Sequence, residues 1–269
     1  MLNLKFPGAI FTSLLLVLIT IPAVSFKPIS NDGISQKFTD SGSAPKTPLN
    51  KHAAVFMKKY LKVNADCLDA VREKSPAPFA IIDGVFTKYD LPVELKYLAV
   101  VESELNPKAL SRVGAAGPWQ LMPGTAKDLG LKVTRKNDER KNFKKSTQAA
   151  ALYLRDLYRQ YDDWLLVLAA YNCGPVPVNA AIRKSGSRNF WKLQYHLPAE
   201  SRDHVKKFIA THYYFEGEGS MTTLTKSETV TYTKTIDTWT ANQEKSGNAA
   251  RIAAENNSDT ATKKTVAMN

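Results

Sequence analysis

Leu91-Pro92-Val93-Glu94-Leu95-Lys96-Tyr97-Leu98-Ala99-Val100-Val101-Glu102-Ser103 opens on a helix-start signal and closes on an acid. Pro92 suits the first turn of a helix, where its missing N–H is not needed. Asn106-Pro107 ends the segment, because the residue before a proline is pushed out of the helical region. Within it, Leu95, Leu98, Ala99 and Glu102 recur at the i, i+3, i+4, i+7 spacing of one helix face. Three members of that face are apolar and the fourth is a carboxylic acid. Glu104 lies about 200° around the same helix and points elsewhere. Glu102 is therefore expected to face the core, or the floor of a cleft built on it. Burial disfavours the charged form of a carboxyl, and a general acid must keep its proton near neutral pH. The competing reading is a stripe-edge glutamate whose tip reaches water or is held by an arginine.

Downstream, Gly114-Ala115-Ala116-Gly117-Pro118-Trp119-Gln120-Leu121-Met122-Pro123-Gly124 sets small residues around a few large ones. Glycine lets a backbone approach a ligand closely. Trp119 offers a flat apolar face, Gln120 a two-way hydrogen bonder, and Met122 an adaptable surface. A sugar, with apolar ring faces and polar edges, suits such a mixture. A plain connector around one buried Trp would read the same way. Farther on, Ala169-Ala170-Tyr171-Asn172-Cys173-Gly174-Pro175 closes a helix with a Tyr and an Asn that can present polar tips. The alternative is a core Tyr with Asn172 as a C-terminal cap.

Around these segments the chain reads as helix after helix, so the domain is expected to be mainly α. Helices are predicted over His52–Leu61, Cys67–Glu73, Phe79–Tyr89, from Pro92 to about Leu105, over Trp164–Tyr171, Val176–Ser185 and Ser201–Phe215. Another carries the stripe Ala150, Leu154, Leu157, Tyr161, capped by Ser146 or Thr147. Lys108–Pro118 reads as a long loop, and Asp162-Asp163 as a turn and a new start.

The ends read differently. Residues 1–25 join Lys5, an apolar run from Ile10 to Ile21 and the small exit Ala23-Val24-Ser25, the pattern of a secretory signal peptide. Retained, that segment would hold the protein at a membrane. Residues 26–48 are rich in Ser, Pro, Gly and Asp and read as a flexible linker. Residues 49–216 carry the helical periodicity and form the expected catalytic domain. Residues 217–269, rich in Thr, Asn and Ala, read as a tail too poor in large apolar groups to order itself. Within it, Val230–Ile236 alternates like a short strand.

The chain has 269 residues and a formal net charge of +12. Basic proteins favour polyanions, and export makes nucleic acid the weakest of these partners. Cys67 and Cys173 are the two cysteines. They could pair or stay as buried thiols. A nucleophilic Cys173 is disfavoured, since the C-terminal end of a helix destabilises a thiolate. The four histidines are scattered, without metal-ligand spacing, and no phosphate loop occurs. Neither a metal nor a cofactor is implied.

Together the segments resemble the lytic transglycosylases that carry the soluble-lytic-transglycosylase (SLT) domain, in particular the membrane-bound murein transglycosylase D type. Leu91–Ser103 resembles the catalytic-Glu motif, Gly114–Gly124 the second and Ala170–Pro175 the third. Leu197-Pro198-Ala199-Glu200-Ser201-Arg202-Asp203-His204-Val205 resembles the fourth. Order and spacing agree over about residues 50–215. The resemblance implies a lysozyme-like helical fold with a long substrate cleft, and peptidoglycan glycan strands as the partner. It implies Glu102 as the acid/base and Ser111, Gln120, Met122, Tyr171 and Glu200 as cleft positions, with Ser103 and Asn172 supporting the site. The implied reaction cleaves the β-1,4 bond between N-acetylmuramic acid and N-acetylglucosamine and leaves 1,6-anhydro ends, in the periplasm or cell envelope. The alternatives are a hydrolytic muramidase or chitinase on the same fold, or a non-catalytic wall-binding protein. Two positions depart from the usual pattern: Cys173 replaces an Ala, and His204 stands where a Tyr is common. The D type often carries C-terminal glycan-binding repeats, and residues 217–269 show no such repeat.

Overall fold

The computed structural model describes residues 43–266, and within them the chain is helical, with isolated β-bridges but no strand. The signal segment and most of the linker lie outside the described residues. The ten helices are α1 (Lys51–Lys74), α2 (Pro76–Lys88), α3 (Tyr97–Ser103), α4 (Pro123–Asp128), α5 (Phe143–Tyr161), α6 (Trp164–Cys173), α7 (Pro175–Ser185), α8 (Phe190–Leu193), α9 (Ala199–Glu216) and α10 (Lys226–Val266).

The core is organised around α6. Its first seven residues, Trp164 to Ala170, are all buried, as expected of a helix that is apolar all round. Each large side chain so removed from water contributes about 1.5–3 kcal/mol. Asp163 starts the helix by accepting from the amides of Leu165 and Leu166 at 3.0 and 3.3 Å, a side-chain cap for otherwise unpaired donors. Gly174, at φ +81°, ends it. α5, α7 and α9 pack on α6, and α9 also packs on α1 and α3.

Boundaries move where local hydrogen bonds override pattern. The two short N-terminal helices expected from the sequence are one helix, α1, because no Gly or Pro interrupts residues 62–66. The start of α5 lies at Asn142, whose carboxamide oxygen accepts from the Lys145 amide at 3.0 Å. Ser146 and Thr147 instead donate back to the carbonyls of Asn142 and Phe143. The expected Pro92–Leu105 helix begins as a 3-10 turn, Val93–Lys96, and becomes α3 only at Tyr97.

The segments read as linker and tail differ most. Thr47 is buried and donates to the Gly219 carbonyl at 3.0 Å. Beyond Gly217, the turn Met221–Thr223 is followed by a buried Leu224. Glu228 then accepts from the Trp191 indole at 3.1 Å and from the Thr225 amide at 2.9 Å. Residues 226–266 are helical, including the strand-like Val230–Ile236. Thr231 and Thr235 bond back to the carbonyls four residues earlier, so their hydroxyls are satisfied within a helix. Composition alone does not register such anchors, because the partners lie far away in sequence.

Candidate active site

Glu102 sits in the last turn of α3, with the Leu98–Ala99 side of that helix fully buried behind it. Its side chain retains 14% exposure, so it is not wholly sealed from solvent. The helix stops at once. Glu104 and Leu105 both take positive φ, at 53° and 64°, and Glu104 is exposed. Left-handed backbone at non-glycine residues costs about 1–3 kcal/mol each. It is held here by amide bonds from Glu104 and Leu105 to the carbonyls of Val100 and Ala99.

The Gly114–Leu121 loop beside α3 is fastened at almost every carbonyl. Ser103 Oγ donates to the Pro118 carbonyl at 2.9 Å. Tyr171, from α6, donates its hydroxyl to the Trp119 carbonyl at 2.8 Å. The Trp119 indole, itself fully buried, donates to Thr147 Oγ1 of α5 at 3.0 Å. Arg140 reaches the carbonyls of Gly114 and Leu121 at 2.7 and 2.9 Å, while its ion pair with Asp138, at 2.8 Å, holds that carboxyl below its ordinary range. Gly117 passes so close to this clasp that a Cβ there would stand 1.9 Å from the Arg140 carbonyl oxygen. The loop is thus a rigid frame, which preorganised binding requires.

The other sequence-predicted residues fall on this frame or at its margin. Ser111 Oγ accepts from the Ala115 amide at 2.9 Å, and Gln120, at φ +43°, folds its amide onto the Gly117 carbonyl. Both therefore use hydrogen bonds to shape the loop. Met122 is 43% exposed at its edge. Burial, followed by the charge of Glu102, pushes the Tyr171 phenol well above its ordinary value, so it stays a neutral donor. Asn172 accepts from Ser201 Oγ at 2.7 Å, tying α6 to α9. Glu200 is exposed in the first turn of α9, one turn before His204.

His204 is the contact that the sequence reading did not assign. It is buried, and its Nε2 lies 2.9 Å from Glu102 Oε1. Arg140 also went unassigned, since nothing in its local sequence marks a clasp on a loop 19 to 26 residues away. Cys67 and Cys173 are both free thiols. Burial pushes the Cys173 thiol up, and its sulfur donates to the Ala169 carbonyl at 3.2 Å. Among the described residues no cluster of His, Cys, Asp or Glu could hold a metal ion, and no helix is long and apolar enough to cross a membrane.

Residues 83–194 match the family model described as "Transglycosylase SLT domain". The chain is 37% identical over 168 residues to membrane-bound lytic murein transglycosylase D of Escherichia coli K12, covering 61% of this chain and 36% of that protein. It is 28% identical over 159 residues to the soluble lytic murein transglycosylase of Salmonella typhimurium, covering 55% and 24%. The chain thus spans little more than a third of the length of the D-type relative. Among solved structures, the 70-kDa soluble lytic transglycosylase in complex with bulgecin A superposes with a TM-score of 0.50 at 22% identity, over 65% of this chain and 31% of that one. That likeness concerns the fold, which is lysozyme-like and helical. Residues 83–194 are thus similar to the transglycosylase SLT domain, and the longer stretch of 168 residues to a D-type murein transglycosylase.

Proposed function

We propose that this chain is a peptidoglycan lytic transglycosylase of the cell envelope, exported by its first 25 residues, with residues 49–216 as the catalytic domain. The observation that carries the reading is Glu102, a mostly buried side chain that keeps 14% exposure at the end of α3, near a loop fixed by Ser103, Tyr171, Thr147 and Arg140.

Glu102 begins as the carboxylic acid. Its proton passes to the oxygen bridging N-acetylmuramic acid and N-acetylglucosamine, and the bond from that oxygen to the muramoyl anomeric carbon breaks. The departing N-acetylglucosamine carries the proton away as its 4-hydroxyl. The carboxylate then accepts the proton of the muramoyl 6-hydroxyl while that oxygen bonds to the anomeric carbon. The product is a 1,6-anhydro sugar, no water is consumed, and Glu102 regains its proton. One carboxyl serves both steps because the nucleophile belongs to the substrate, whereas most glycosidases need two carboxylates at a set separation. Glu104, two residues on, is exposed at the helix cap and does not join it. The substrate's acetamido group and the dipoles of the site would stabilise the developing positive charge. Ser111, Gln120, Met122, Tyr171 and Glu200 are proposed to line the sugar path, with Ser103 and Asn172 holding the frame.

Glu102→Gln removes the transferable proton and keeps the shape. Release of soluble fragments from purified sacculi is expected to fall about a thousandfold or more, with an unchanged circular dichroism spectrum. Full activity in the folded variant would exclude Glu102 as the acid/base.

A further inference from the structure

Glu102 does not stand alone in the fold. His204, on α9, is 6% exposed, and its Nε2 lies 2.9 Å from Glu102 Oε1. Its other nitrogen, Nδ1, is buried with no hydrogen-bond partner among the described residues. No carboxylate or carbonyl is therefore placed to accept a hydrogen from Nδ1. A buried N–H without an acceptor is costly, and a charged one more so. This asymmetry selects the neutral tautomer with its hydrogen on Nε2, since the ring's hydrogen goes where an acceptor waits.

We propose, on the basis of Glu102 as the acid/base, that His204 is its positioning residue: a neutral imidazole whose Nε2–H holds Oε1, so that Oε2 carries the working proton toward the substrate. His204 neither gives nor takes a proton during the reaction. It stays in one tautomer and fixes the carboxyl through both steps, accepting nothing at Nδ1 and donating at Nε2 throughout. Oε1 is occupied by this bond, so the proton donated to the bridging oxygen, and later recovered from the 6-hydroxyl, travels on Oε2.

The groups facing the pair leave this arrangement undisturbed. From α6, Tyr171 is a neutral phenol and Cys173 a half-buried thiol that burial pushes up. On α9, Asp203 pairs with Lys206 at 3.7 Å, and Lys206 lies over the Phe56 ring of α1. Glu200 and Lys207 are exposed, as is His196 of the 3-10 turn Gln194–His196 that precedes α9. At the C-terminal cap of α3, Glu104 turns away toward Tyr60 and Cys67 of α1.

The test compares His204→Phe and His204→Gln with the wild type and with Glu102→Gln, on purified sacculi. His204→Phe removes the donor and is expected to lower kcat about 10- to 100-fold, the scale of a misaimed catalytic group, with KM unchanged. Losing that donor destabilises the carboxylate, so the alkaline limb of the rate profile should move up by about half to one pH unit. His204→Gln offers an amide N–H and should restore both kcat and the limb. Nitrogen-15 spectra of the wild type should show a neutral ring protonated at Nε2 at pH 7. Wild-type kcat and profile in a folded His204→Phe protein would overturn the inference, and so would a ring protonated at Nδ1. If Glu102→Gln stays active, the acid/base assignment falls. If Glu102→Gln is inactive while His204→Phe is normal, only the role of His204 falls.

Discussion

At the scale of single residues, Gly117 shows how little room the site frame has. Its φ of +79° already disfavours any side chain, and a Cβ would stand 1.9 Å from the Arg140 carbonyl oxygen. Gly117→Ala should therefore destabilise the protein by about 2–4 kcal/mol in urea unfolding. Gly114→Ala, at φ +89° with open space around the added carbon, should cost only about 1 kcal/mol. Equal losses for the two would mean that the Arg140 clasp is not what constrains the loop. The glycines of this loop, its Trp and the acid on the α3 face were all legible in the sequence, because spacing and residue type act locally. Arg140 and His204 were not. Each draws its role from a partner brought close by the fold, Gly114 and Leu121 for one and Glu102 for the other, and no periodicity encodes such a meeting.

Among the elements, α6 was the easiest to read, since a run of seven apolar residues after an Asp cap leaves few alternatives. Its neighbour α9 was legible as a helix but not in what it buries. His212 lies on its inner side, 1% exposed, with Nε2 2.9 Å from Ser220 Oγ. Burial, opposed in part by the charge of Glu216, pushes the ring down to about 4, against about 6.5 for a free imidazole. The folded state thus favours the neutral ring. The stability that His212 contributes is full above about pH 6.5 and is lost as pH falls through about 4. Between pH 7 and pH 4 the wild type should lose about 3 kcal/mol more than His212→Gln does, measured by urea unfolding at each pH. Parallel pH dependences for the two proteins would show that His212 is not the buried titrating group. α10 is the opposite case: its threonines suggest strand or coil, yet their hydroxyls are met by carbonyls four residues back. Its start is pinned by Glu228 on the Trp191 indole and by the Lys226 amide on Asp163.

For the molecule as a whole, the helical class and the order of the four motifs were visible before any coordinate, because each motif is contiguous. What sequence could not supply was the way α3, α5, α6 and α9 converge, bringing Ser103, Thr147 and Tyr171 to one loop and His204 to Glu102, from positions up to 102 residues apart. That convergence supports a chemistry in which a single carboxyl gives and recovers one proton while the substrate supplies its own nucleophile. The measurement that bears on this most directly is mass spectrometry of the soluble fragments released from purified sacculi by the full chain, with Glu102→Gln as the control. Muramic acid ends lighter than reducing ends by one water, absent with Glu102→Gln, are the predicted result. Reducing ends from the wild type would mean that water, not the 6-hydroxyl, is the nucleophile, and would contradict the account.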